Sequence, residues 1–170
     1  MKAFFLSLIA SVVLTPLAAT AAQSASSTRA DASVRTLPEQ LPKVEGAWVR
    51  STVAGQQGTG AFMKITARQP MQLIGVSSPV AGTAEVHEMK LEGDIMRMRQ
   101  VAKVDLPAGQ TVEFKPGGYH LMLMDLKQAL KPGTAVPLTL VFRDVNGVER
   151  KLELKAAVAT RSPGAAAGTP

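Results

Sequence analysis

The sequence predicts an all-β fold, an antiparallel β-sandwich or barrel with Greek-key connections. Two observations lead there. Short runs rich in β-branched and apolar residues recur about every ten residues, separated by Gly, Pro and Asn turn signals. Only Asp125–Leu130 has a helix-like pattern, and it lasts for about one turn. Eight or nine short strands in a stretch this size are what sandwiches and small barrels are made of.

The strands are expected, in order, at Ala47–Thr52, Ala61–Thr66, Gln72–Ser77, Ala84–Lys90, Ile95–Lys103, Thr111–Phe114, Tyr119–Met124, Val136–Arg143 and Val148–Ala156. Trp48 on the first is expected to anchor the core. Leu91-Glu92-Gly93-Asp94 separates the fourth and fifth, with Glu92-Gly93 as the expected turn centre. Gly117-Gly118 is the expected turn aiming the seventh strand, because glycine supplies backbone angles that other residues resist. Asn146-Gly147 signals a hairpin between the last two, since both central positions of such a turn take positive φ.

The flanks divide the chain further. Residues 1–22 have the charged start, apolar run (Ala3 to Leu14) and small-residue end of a cleavable secretory signal peptide, with the cut expected at Ala19-Thr20-Ala21 or one residue later. Residues 23–40 read as a flexible leader, residues 41–158 as the folded domain and 159–170 as a disordered tail. The expected destination is the periplasm. Lys and Arg outnumber Asp and Glu by 19 to 13, a net charge of +6, but they are scattered along the chain. With few aromatics to stack bases, no nucleic-acid partner is expected. The charge suits at most weak association with an anionic membrane surface, and the chain is expected to be a monomer.

The chain has no cysteine. That excludes disulfides, thiol catalysis, thiolate-ligated zinc, iron–sulfur clusters and blue-copper centres. No G-x-S-x-G, P-loop or H-E-x-x-H pattern occurs. Glu85, Glu88, Glu92 and Asp94 are expected at solvated edges, with Glu88 projecting away from His87, so no enzyme is expected.

The two histidines are each followed two positions later by methionine: His87-Glu88-Met89 and His120-Leu121-Met122. With the turn centred on Glu92-Gly93, His87 faces Met98 and Met89 faces Met96. Opposed side chains of this kind have Cβ atoms about 4.5–5.5 Å apart on one face. The period of two also puts His120, Met122 and Met124 on the face opposite Leu121 and Leu123. If these faces meet, imidazoles and thioethers converge into a soft donor set suited to Cu(I) and, with more imidazole, Cu(II). The spacing equally allows an exported β-sandwich interaction module whose methionines only fill a core, and both readings stand at this level.

A family resemblance bears on that choice. His87, ten residues, Met98, twenty-one residues, His120-x-Met122 matches the H-x10-M-x21-H-x-M pattern of the periplasmic copper chaperones called the PCu(A)C family. Ser78-Pro79-Val80-Ala81-Gly82, Met96-Arg97-Met98, Leu106-Pro107-Ala108-Gly109, Lys115-Pro116-Gly117-Gly118-Tyr119-His120-Leu121-Met122-Leu123-Met124 and Val136-Pro137-Leu138-Thr139-Leu140 also resemble that family, from about Ala47 to Leu154. The resemblance implies a cupredoxin-like sandwich binding Cu(I) near its surface through His87, Met98, His120 and Met122. It implies delivery of copper to acceptor or assembly proteins of cytochrome oxidase. Phe62 departs from the family's usual tyrosine and Ala67-Arg68 from its usual turn; both are expected to affect only local packing. The tail lacks His and Met, so a single site is expected, with Met124 as packing beneath it.

Overall fold

The computed structural model describes residues 41–163. The expected signal peptide, leader and the end of the tail lie outside these residues. Among the described residues ten strands account for the regular structure: β1 Lys43–Arg50, β2 Gly58–Thr66, β3 Met71–Ser77, β4 Ala81–Glu92, β5 Ile95–Gln100, β6 Val104–Leu106, β7 Thr111–Phe114, β8 Tyr119–Leu126, β9 Ala135–Asp144 and β10 Glu149–Ala159. Each expected strand is present within a few residues. The exception is Ile95–Lys103, which stops at Gln100 as β5; the short β6 beyond it was not expected. The helical turn expected at Asp125–Leu130 does not form. β8 runs through Leu126, and within it Asp125 takes a positive φ of 53°, outside the right-handed helical region.

The hydrogen-bonded order is β5-β4-β8-β7-β2-β1-β10-β9-β3-β6, with β8 also pairing β2. Most pairs are antiparallel, as expected. The pairings β1–β10 and β7–β8 are parallel, so the sheet is mixed. Its two edge strands, β5 and β6, are consecutive in the chain. The four steps from Gln100 to Val104 span at most about 14 Å, so the sheet curls until its ends nearly meet. β3 packs on β4 across that curl. The result is a flattened barrel with one interior.

The interior is filled largely by alternate residues of the strands other than β5. Val49, Ala61, Ile65, Leu73, Leu121, Leu123, Leu140 and Phe142 are fully buried. This settles the two-sided apolarity of the stretch from Tyr119 to Met124. Leu121 and Leu123 go inward, while His120, Met122 and Met124 share the outer face with Gly58 and Gly60, their β2 partners for Met124 and Met122.

Two turns differ from expectation. β4 and β5 are joined at Gly93-Asp94, not Glu92-Gly93, with Gly93 at φ 64°. Glycine belongs at the first central position of that type of two-residue loop, which needs positive φ there. Moving the centre by one residue moves every partner by two. His87 therefore faces Gln100, Met89 faces Met98 and Leu91 faces Met96. The shift is even, so each side chain keeps the expected face. The β9–β10 hairpin forms, but with a four-residue loop in which only Gly147 has positive φ. Asp144 causes this: its Oδ1 accepts the backbone N–H groups of Asn146 and Val148, both at 2.9 Å.

Candidate metal centre

The β4–β8 pairing brings the histidines together. His87 and His120 are directly opposed, with ring centroids 5.9 Å apart. This pairing joins residues 33 apart in sequence, so no local register reveals it. Glu85 lies opposite Met122 on the same face. β2 closes the other side, with Gly60 opposite Met122 and Phe62 beside His120, ring centroids 6.5 Å apart.

Hydrogen bonds set the ring orientations. A carbonyl or carboxylate oxygen can only accept, so the ring nitrogen facing it carries the proton. His120 Nδ1 donates to the Gly118 carbonyl at 3.0 Å, which leaves Nε2 with a free lone pair. His87 Nε2 donates to Glu85 Oε2 at 2.8 Å, which leaves Nδ1 as the free nitrogen. That Nδ1 is buried with no hydrogen-bond partner. A buried imidazole nitrogen without a partner costs free energy, and a carboxylate holding the opposite nitrogen is the arrangement that orients metal-binding imidazoles. The residues present therefore fit a soft metal ion.

A cleft of about 190 Å³ opens on this face. Met89, Met98, His120 and Met122 line it, over Gly60 and Phe62. Arg50 and the Pro116-Gly117 turn form the rest of its wall, and the Arg50 guanidinium sits 5.9 Å from the Phe62 ring centroid. Gly117, at φ 81°, permits the turn that leads into β8, as its sequence suggested. Phe62 stacks on buried Trp48 with centroids 4.7 Å apart. Trp48 thus supports the cleft from the outer face, where the sequence suggested only a core anchor. Met124 does not line the cleft; its packing role beneath the site is taken by Phe62.

Of the four residues singled out by spacing, Met98, His120 and Met122 line the cleft. His87 stands beside it, its side chain 14% exposed. Sequence reasoning missed two participants. Glu85 is not a solvated edge but the partner of His87. Met89 lines the cleft, although the H-x10-M-x21-H-x-M pattern leaves it out. Both lie two residues from His87 on one strand face, so the period of two could have marked them. Phe62, expected to matter only for local packing, is cleft wall.

The back of the β4–β5 hairpin is charged and separate. Arg99 Nη2 meets Glu88 Oε2 at 2.8 Å and Arg97 Nε meets Glu92 Oε2 at 3.2 Å. The Arg99 pair holds the Glu88 carboxyl below the usual carboxylate range, while burial, then the Glu88 charge, raises Tyr119. Glu88 points away from His87, as its place in the strand requires. Among the described residues no three His, Asp or Glu side chains converge as a hard metal site would need. A larger groove of about 520 Å³ lies between β3, β6 and β9, near Gln72, Asp105 and Arg143. It contains no imidazole, and its one methionine, Met71, is buried in the core.

Known proteins resemble the chain on both sequence and fold. The family model described as "Putative lipoprotein LpqE-like" matches residues 43–156. A relative named "Putative lipoprotein Lxx21020", from Leifsonia xyli subsp. xyli, is 31% identical over 103 residues, covering 60% of this chain and 62% of its own length. "Uncharacterized protein RP573" of Rickettsia prowazekii is 34% identical over 103 residues, 57% of each chain. The match thus spans about three fifths of these relatives. Among solved structures, the copper-bound PCuAC domain from PmoF2 superimposes with a TM-score of 0.56 at 27% identity, over 71% of this chain and 93% of that one. The Cu(I) form of DR1885 from Deinococcus radiodurans gives 0.52 at 30% identity, over 76% and 83%. The fold is the cupredoxin-like β-sandwich of these PCuAC domains, and the chain belongs to the LpqE-like family.

Proposed function

We propose that this protein is an exported copper chaperone. It binds Cu(I) through His87, Met98, His120 and Met122 and passes it on to acceptor or assembly proteins of cytochrome oxidase in the periplasm. The observation that carries the reading is the buried, unpartnered Nδ1 of His87, opposite His120, which lines the cleft together with Met89, Met98 and Met122. The copper-bound neighbours support the cargo. The donors are neutral and soft, and the Arg50 cation at the rim disfavours a second positive charge more than a first, which supports Cu(I) over Cu(II). Met98 is 51% exposed, so an acceptor's ligand can reach the ion. The relative and the family model named as lipoproteins, with the signal-like N-terminus, support export. These 170 residues have no cysteine thiol to carry a lipid. Delivery to cytochrome oxidase rests on the family resemblance alone.

The alternative, a metal-free module with a methionine core, requires these methionines to be interior. Met98 and Met122 lie on the outer face, while Leu121 and Leu123, which flank Met122, fill the interior. The deciding experiment is His87→Ala/His120→Ala, which removes both imidazoles. Competition against a Cu(I) chelator should show binding lost, with the circular dichroism spectrum of the β fold kept. Unchanged competition would refute the reading.

A further inference from the structure

We propose that Met89 is a reserve thioether donor to the copper, which takes the place of Met98 on the ion while Met98 exchanges with a partner's ligand. The proposal rests on the reading that this cleft carries Cu(I).

Placement is the first support. Met89 is the direct cross-strand partner of Met98, so their Cβ atoms stand about 4.5–5.5 Å apart on one face. Both line the cleft with His120 and Met122. Three thioethers therefore converge where the spacing pattern names two.

Anchoring is the second. The Met89 backbone N–H donates to the Gly118 carbonyl at 3.1 Å, and the same oxygen accepts the His120 Nδ1 proton at 3.0 Å. One atom fixes both the imidazole ring and the start of the Met89 side chain. Met98 has no such tie. It sits on β5, an edge strand whose residues are all exposed and whose one strand partner is β4. Met89 is only half-buried, so simple core filling does not explain it.

The chemistry follows from surplus. With His87, the site offers five donors. Cu(I) is a closed-shell ion that accepts low and variable coordination, so it does not need all of them at once. When an incoming ligand displaces exposed Met98, Met89 can take up the vacated bond, and the ion is never released to water. No redox or proton change accompanies the exchange, because thioethers are neutral in both free and bound forms.

The test compares wild type, Met98→Leu, Met89→Leu and the double variant, each loaded with Cu(I) under anaerobic conditions. Leucine nearly conserves volume, so the fold should persist. X-ray absorption counts the sulfur neighbours and chelator competition gives affinity. The expected result is that Met98→Leu keeps the wild-type sulfur number and weakens binding by about tenfold or less. The double variant should lose one sulfur and weaken binding by about a hundredfold. A Met98→Leu protein with the same reduced sulfur count as the double variant would overturn the role of Met89 while leaving the copper site standing. A wild-type protein with no sulfur neighbour would overturn both.

Discussion

Replacing Glu85 tests whether His87 works as a ligand through Nδ1. In the folded protein the Glu85 carboxylate accepts the His87 Nε2 proton at 2.8 Å, and both side chains are largely shielded, at 25% and 14% exposure. Glu85→Ala removes the acceptor. The Nε2–H group then lacks its partner, the ring can turn, and the tautomer with a proton on Nδ1 becomes competitive. Leaving a shielded donor unpaired costs about 1–3 kcal/mol, and loss of the partner that orients a metal-bound imidazole lowers affinity about 10–100-fold. The first cost is read in urea unfolding of the empty protein; the second, at about 1.4 kcal/mol per tenfold, is read in copper binding. Glu85→Gln keeps an oxygen that can accept the same proton but loses the charge, so its loss should be the smaller. Cu(I) chelator competition on wild type and both variants measures the order, and X-ray absorption counts nitrogen neighbours. If Glu85→Ala binds Cu(I) as tightly as wild type with two nitrogen neighbours, the orienting role assigned to Glu85 is wrong.

Other outcomes follow from the packing and the turns. A Cβ at Gly60 would lie 2.8 Å from Phe62 Cζ, and that ring is held between Trp48 and His120. Gly60→Ala should cost about 1–3 kcal/mol in thermal or urea unfolding and weaken Cu(I) binding; no change in either would mean the ring relaxes freely. Leu123→Ala, at a fully buried position, should cost about 2–5 kcal/mol in urea unfolding. Met122→Leu, one residue away on the outer face, should cost less than about 1.5 kcal/mol while lowering copper affinity. Backbone hydrogen bonds from Val148 and Asn146 and the Arg150 ion pair hold Asp144 below the usual carboxylate range. A depressed carboxyl stabilises the fold above its unfolded value and stops doing so as pH falls through the folded value. Asp144→Asn should therefore destabilise at neutral pH, with the gap to wild type closing under strongly acidic conditions in parallel urea titrations.

The strand faces were legible in the sequence because a period of two is a local property. His120, Met122 and Leu123 fall on the expected sides whatever the pairing. The hairpin partners were not, because they depend on which residue of the turn takes positive φ. Gly93 at the first central position moved the centre by one. The error was harmless to the face and decisive for the partner, since it put Met89 rather than His87 opposite Met98. The opposition of His87 and His120 arises from a crossover between β4 and β8, which no stretch of chain encodes alone. Phe62 escaped notice for the same reason, since it acquires its role from His120 on a strand distant in sequence; Glu85, two residues from His87 on one strand, was within reach of the period of two.

The edge position of β5 carries a mechanical consequence. Peeling this strand away requires breaking only its bonds to β4, so in the empty protein its amides should exchange with deuterium early. An ion held jointly by Met98 on β5 and by His120 and Met122 on β8 ties that strand across two neighbours. Cargo that binds only the folded form adds about 4 kcal/mol at a thousandfold excess over its dissociation constant. Loading should therefore slow exchange in β5 more than in the distant β9–β10 hairpin. The cargo would then act as a clasp on the weakest seam of the barrel, and unloading would release strand and ion together.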